Sequence, residues 1–222
     1  AARDATWVDD WLEWFVPGAV AASGLDPKAV ERLNNWVPKT RDMQVYLPRV
    51  RDVLANVVTE QLRASELDAR YRELFRALVF AAGWQESCWR QFMVKGDQRW
   101  PMESRSGDVG LMQVNVRVWR GLYDQHGLRW DIAYNARAGA DILEHYLVNY
   151  ALRHREHETT GELDSLARST YAAYNGGPSQ YARYRRSGAA SSGVDVDAVF
   201  YEKYRKIRRG NELAVTACFA GI

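Results

Sequence analysis

Nothing in the 222 residues approaches the uninterrupted apolar run of roughly 20 that a bilayer-spanning helix needs, so the chain is expected to be soluble. An excess of one charge is missing too. Thirty basic against twenty-eight acidic residues leave a net charge of +2, with no long block of either sign, and nucleic acid is not an obvious partner. Cysteine is scarce. Cys88 and Cys218 fit no metal-ligand spacing and no redox pair, which leaves two buried thiols or one long-range disulfide that would need an oxidising compartment. There is no glycine-rich phosphate cradle, no nucleophile elbow and no dinucleotide fingerprint, so no cofactor is implied. His126, His145, His154 and His157 lack carboxylate partners at metal-binding spacing, apart from the run His154, Glu156, His157, Glu158, which reads as a solvated loop; no metal site is expected. The chain opens Ala1-Ala2-Arg3-Asp4 without a basic-then-apolar leader, so any export signal is expected to have been cleaved or omitted.

What is present is helical periodicity. Apolar residues recur at spacings of three and four almost throughout, and strand-like alternation is absent, which predicts a mainly all-α fold. Trp7, Val8, Trp11, Leu12, Trp14 and Phe15 form a first stripe ending at Pro17-Gly18. Asp26 reads as the N-cap of a second helix running to about Trp36, and a third follows Pro48 with Val50, Val53, Leu54, Val57, Val58 and Leu62 inward. Residues 1–65 are thus expected to be an N-terminal helical region packed on a core formed by 66–222. A helix over about Glu66–Cys88 is followed by a loop, with at most small strands, from Gln91 to Gly110. Further helices are expected from Ile132 to Tyr150 and from Glu162 to Asn175. A flexible Ser/Gly/Ala linker over 187–193 precedes a last amphipathic helix with Val196, Val199, Phe200, Tyr204 and Ile207. Two basic stretches, Arg183 to Arg186 and Arg205 to Arg209, read as solvated faces or as contacts to an anionic polymer.

Glu86 stands on the apolar stripe made by Leu74, Phe75, Leu78, Val79 and Ala82. A carboxylate on a core-facing line is costly to ionise, so its proton affinity should be raised, as suits a general acid; the alternative is a helix-end residue that turns to solvent or meets an arginine. Downstream come Gly110-Leu111-Met112-Gln113-Val114-Asn115 and Ala172-Ala173-Tyr174-Asn175-Gly176-Gly177-Pro178.

The order and spacing of Glu86-Ser87 and these two clusters resemble the soluble lytic transglycosylase family of the lysozyme-like superfamily. So do Asp131, Asn135, Gly139 and Leu143, which look like that family's Asn-containing helix start and small-residue packing face. The resemblance covers about residues 70–185. It implies a lysozyme-like fold, a peptidoglycan substrate, and a bacterial cell-envelope location, periplasmic or secreted. In such enzymes the acid that protonates the leaving oxygen then acts as base towards the muramyl 6-hydroxyl, giving 1,6-anhydro ends.

Two departures bear on mechanism. The stretch between Glu86 and Gly110 is longer than usual and should shape the cleft rim. Asp108 stands where the commonest pattern has Ala, and Asp-Val-Gly-Leu-Met-Gln-Val-Asn resembles the specialised transglycosylases of secretion and conjugation systems, which suggests a secretion or cell-wall machinery partner. It also resembles animal-type lysozymes, whose second carboxylate lies there, so Asp108 is either a partner of Glu86 in a hydrolase or a turn residue capping backbone amides. Of the remaining site residues, Ser87 is expected to hydrogen-bond substrate, fix the Glu or cap the helix end. Met112 is expected to line the subsite floor, and Gln113 to hold an acetamido group or pin its turn. Tyr174 is expected to reach the Glu86 carboxylate, and Asn175 to bind glycan or stem peptide.

Overall fold

The computed structural model describes residues 24–186 and 195–220. The first helix expected around Trp7, Trp11 and Trp14, and the linker expected over 187–193, lie outside the described residues.

Helix α1 spans Pro27–Asn34, with the Asp26 side chain accepting from the Lys28 amide and Pro27 in the first turn. Helix α2 runs Met43–Ala64. It begins ahead of Pro48 rather than after it. The proline removes one backbone bond near the helix start, a loss offset by burying Met43, Tyr46 and Leu47 in the turn that precedes it. Helix α3, Arg72–Ser87, starts later than the periodicity suggested. Ser65 caps the Leu67 amide and Asp68 caps that of Arg70, so side chains hold the connecting residues out of the helix.

Along α3, Ala77, Phe80, Ala81, Gly83 and Trp84 are buried as well as the predicted stripe. Between Ala77 and Trp84 the helix is buried all round, which makes it central, and the others gather about it. Helices α1 and α2 join its core cluster, and the Asn34 side chain accepts from the Ile132 amide. The stretch expected to be loop carries two small antiparallel pairs. Strands β1 (Phe92–Lys95) and β2 (Gln98–Pro101) form a hairpin whose first turn residue, Gly96, has φ +62°. Strands β3 (Asp108–Val109) and β4 (Val114–Asn115) pair Asp108 with Asn115. Helices α4 (Gln125–Trp130) and α5 (Ile132–Tyr146) follow, and α5 continues through a wider π-helical turn, Leu147–Leu152. Then come α6 (Glu156–Thr160), α7 (Ser165–Gly176) and α8 (Val196–Arg208), the last packed against α3.

The run His154 to Glu158 is not simply solvated. Glu156 is fully buried, accepting from Tyr184 Oη at 2.6 Å and Arg185 Nη2 at 2.6 Å, and His154 stacks on Tyr181. The first basic stretch is likewise committed, because Arg183 pairs with the buried Asp197 and Arg185 with Glu156. Unpaired, these carboxylates would be costly to bury. Among the described residues no helix is long and apolar enough to cross a membrane.

Of the two alternatives for the cysteines, the structure has the disulfide, joining Cys88 to Cys218 across 130 residues of sequence. Cys88 is the left-handed C-cap of α3, and Trp89 after it also has positive φ, a costly arrangement for two consecutive non-glycine residues. The turn is held by the disulfide, by Trp89 Nε1 donating to the Phe80 carbonyl, and by Tyr46 Oη donating to the Trp89 carbonyl. Replacing both cysteines by serine should therefore cost about 2–4 kcal/mol of stability, read as a lower urea midpoint that reductant no longer changes; an unaltered midpoint would show the cross-link to be idle.

Candidate active site

Three segments meet at the end of α3: its last turn, the β3–β4 loop and the end of α7. Glu86 is partly exposed there, and its Oε1 accepts from Tyr171 Oη at 2.7 Å. Burial pushes its proton affinity up, the Tyr171 hydrogen bond pulls it down, the negative charge of Asp108 pushes it up and the Lys203 ammonium pulls it down; the net result is about 7, against an ordinary 4.5. Such a carboxyl is poised to give and retake a proton near neutral pH. The phenol contact expected of Tyr174 is thus made by Tyr171, one turn earlier on α7. Tyr174 Oη instead donates to the Met112 carbonyl at 2.6 Å.

Two buried amides shape the loop opposite. Asn135, fully buried near the start of α5, accepts from the Met112 amide at 2.7 Å and donates to the Val109 and Leu128 carbonyls. Gln91 accepts from the Leu111 amide and donates to the Leu128 and Arg129 carbonyls. Gly110, at φ +76°, runs between them, and a Cβ there would lie 2.4 Å from Asn135 Nδ2 and 2.6 Å from the Gln91 amide. Only glycine passes through this gap.

Met112 consequently points inward. It is fully buried, and a Cβ on Gly139 would come within 2.5 Å of it, so its thioether fills the core between α3 and α5 rather than the floor of a subsite. Ser87 is buried too. Its Oγ donates to the Leu111 carbonyl at 2.6 Å and accepts from the Arg90 amide, tying the acid's helix to the opposite loop and leaving no donor for substrate. Gln113 is half-buried at φ +49°, and its Nε2 donates to the Gly110 carbonyl at 2.9 Å, pinning the turn. Asn175 is exposed and accepts from Arg183 Nη2 at 3.1 Å.

Asp108 is engaged by its own loop. One carboxylate oxygen accepts from Ser104 Oγ at 2.6 Å and from Ser106 Oγ, and the other from Asn115 Nδ2 at 2.8 Å. The long stretch before it carries an aromatic edge. Trp100 is 39 % exposed and packs edge-on to Trp130, with Lys95 Nζ over its ring at 5.3 Å. No group of three or more His, Cys, Asp or Glu side chains suited to a metal ion occurs among the described residues.

Tyr171, Gln91 and Lys203 belong to the site without a sequence motif that marks them. Tyr171 lies on the inward stripe of α7 with Tyr174, so its candidacy was visible and only the choice between the two rings was not. Lys203 lies more than a hundred residues from Glu86, and no spacing signals it.

Comparison with curated proteins gives no match, and comparison with solved structures gives none either. A model of the transglycosylase SLT domain matches residues 67–193, a span that holds Glu86, the β3–β4 loop and α7 and makes up more than half of the chain, which therefore belongs to that family and is a lytic transglycosylase, a glycan-cleaving lyase whose substrate is peptidoglycan.

Proposed function

We propose that the enzyme cleaves the β-1,4 bond between MurNAc and GlcNAc with Glu86 as its one catalytic carboxyl. The Glu86 proton passes to the glycosidic oxygen as the bond from the muramyl anomeric carbon breaks. The resulting carboxylate takes the proton of the muramyl 6-hydroxyl, whose oxygen closes on that carbon. Water is not consumed, and the product ends in 1,6-anhydro-MurNAc. Proximity of the internal hydroxyl replaces an external nucleophile. Gln113, Tyr174 and Asn175 are proposed to hold the strand and its acetamido groups. Of residues 1–65, the described part from Gly24 on is proposed to serve as a helical extension of the catalytic unit. A disulfide beside the catalytic helix end suits an oxidising compartment, and with the cell-wall substrate supports action in the bacterial envelope, periplasmic or secreted.

The observation that carries this reading is the transglycosylase-domain match over residues 67–193, taken with Glu86, whose carboxyl accepts from Tyr171 and is pushed up to about 7 by burial. A retaining hydrolase places its nucleophile about 5 Å from the acid and depends on it by orders of magnitude. Digestion of purified peptidoglycan should accordingly release muropeptides lighter by one water than hydrolytic products, and Asp108→Asn should keep measurable activity with the same anhydro ends. Mass spectrometry of both digests decides it. Reducing ends from the wild type, together with an inactive Asp108→Asn, would make the enzyme a muramidase.

A further inference from the structure

Helix α8 lies beyond the residues matched to the family, yet it reaches the catalytic helix end from behind. Lys203 is half-buried on that face. Its Nζ donates to Gln85 Oε1 at 2.7 Å and stands 5.6 Å from the centre of the Trp84 ring, so it is held by the two residues that precede Glu86. One turn back, Phe200 stacks on Tyr171 with ring centres 3.9 Å apart and planes within 5°. Tyr171 is the donor to Glu86. The same helix thus backs the hydrogen bond on the acid and sets a cation on the two residues that precede it.

We propose that Lys203 is a positioning residue of the transglycosylase reaction, its ammonium fixed by Gln85 and Trp84 on the helix turn that carries Glu86. This rests on the reading of Glu86 as acid and then base. Such a group must lose its proton and regain one within each turnover, and either extreme of proton affinity stalls one half. Facing Glu86 are Asp108 from β3, Tyr171 and Tyr174 from α7 and Lys203 from α8; facing Lys203 are Gln85, Trp84 and the neighbouring Lys206. Burial and Asp108 hold the proton on. The Tyr171 hydrogen bond and the Lys203 charge draw it off. The interaction is reciprocal, since Glu86 raises the proton affinity of Lys203 against the lowering effect of burial.

The test is the pH dependence of kcat/KM on peptidoglycan. The free enzyme needs protonated Glu86 to begin, so activity should fall as pH rises through about 7. In Lys203→Met this fall should move to higher pH by roughly half a unit, the effect of one charge removed from a partly solvated site, while Lys203→Arg should stay close to wild type. Gln85→Leu keeps the ammonium but frees it, and should shift the fall the same way by less. It serves as the reading if Lys203→Met does not fold. A purely structural role would lower rate or stability and leave the fall where it is, and an unmoved fall in a folded variant overturns the proposal. Glu86→Gln run alongside separates the two claims: an inactive variant with an unmoved fall sinks the role of Lys203 alone, whereas an active one sinks the assignment of Glu86.

Discussion

Glu86→Gln is expected to lose glycan cleavage by roughly 10³-fold or more, and at the same time to be more stable than wild type in mildly alkaline solution. The first effect follows from removing the proton that the leaving oxygen takes. The second follows from the energetics of the same group. In the folded protein its proton affinity is pushed up to about 7 from an ordinary 4.5, mainly by burial. Between those values the folded state holds a proton that the unfolded state has lost, so stability falls as pH rises through this window and the penalty is complete above about 7. Glutamine carries no charge, can still accept from Tyr171, and escapes the penalty. Thermal midpoints at pH 4 and pH 8 check it: the variant should match wild type at the lower pH and exceed it at the higher. Catalytic residues are commonly held at such a cost. Near wild-type digestion would remove Glu86 from the reaction, and equal midpoints at pH 8 would show its carboxyl to be ordinary.

How much of this was legible in the sequence depended on whether a residue's partner is near in the chain. The cap at Asp26 and the inward stripes of α2 and α3 follow from local spacing, whereas the α7 stripe holds only from Leu166 on, because Leu163, which spacing also puts on it, lies before the helix start at Ser165 and is exposed. Spacing does not reveal that α3 is buried on every side between Ala77 and Trp84, because periodicity marks the most apolar stripe and says nothing of what covers the others. The start of α2 was misplaced because proline is a local signal and the burial of Met43, Tyr46 and Leu47 that outweighs it is tertiary. At the site the same division holds. Glu86 announces itself as a lone acid on an apolar line. Met112 and Ser87 stand within the clusters that mark the site, but both turn inward: Met112 into the space left by Gly139, Ser87 to the carbonyl of Leu111. Membership of a motif showed that they matter, and only packing showed that they act on the scaffold and not on the sugar.

Among those scaffold residues, Asn135 should be the most costly to replace. Its amide is fully buried and joins the start of α5 to both sides of the Gly110 turn, accepting from Met112 and donating to Val109 and Leu128. Leucine in its place fills a similar volume and satisfies none of these groups. The Leu128 carbonyl keeps the Gln91 donor, but the Met112 amide loses its acceptor and Val109 its side-chain donor in the interior. Each buried group left unmet costs about 1–3 kcal/mol, so Asn135→Leu should lose roughly 3–5 kcal/mol. Asn135→Asp supplies a sharper comparison. At neutral pH it keeps an acceptor for Met112 but turns a carboxylate towards two carbonyls, and should be no better than leucine; once protonated at low pH it can donate to one of them and should recover part of the loss. Urea midpoints of the three proteins at pH 4 and pH 7 measure this. Because Ser87, the neighbour of Glu86, donates to the Leu111 carbonyl in this same turn, the loss should reach function: even at a temperature where Asn135→Leu stays folded, its cleavage rate should drop while the Glu86→Gln stability signature persists in the double variant. A leucine variant with an unchanged midpoint would mean that the turn is held by Gln91 and the glycine alone.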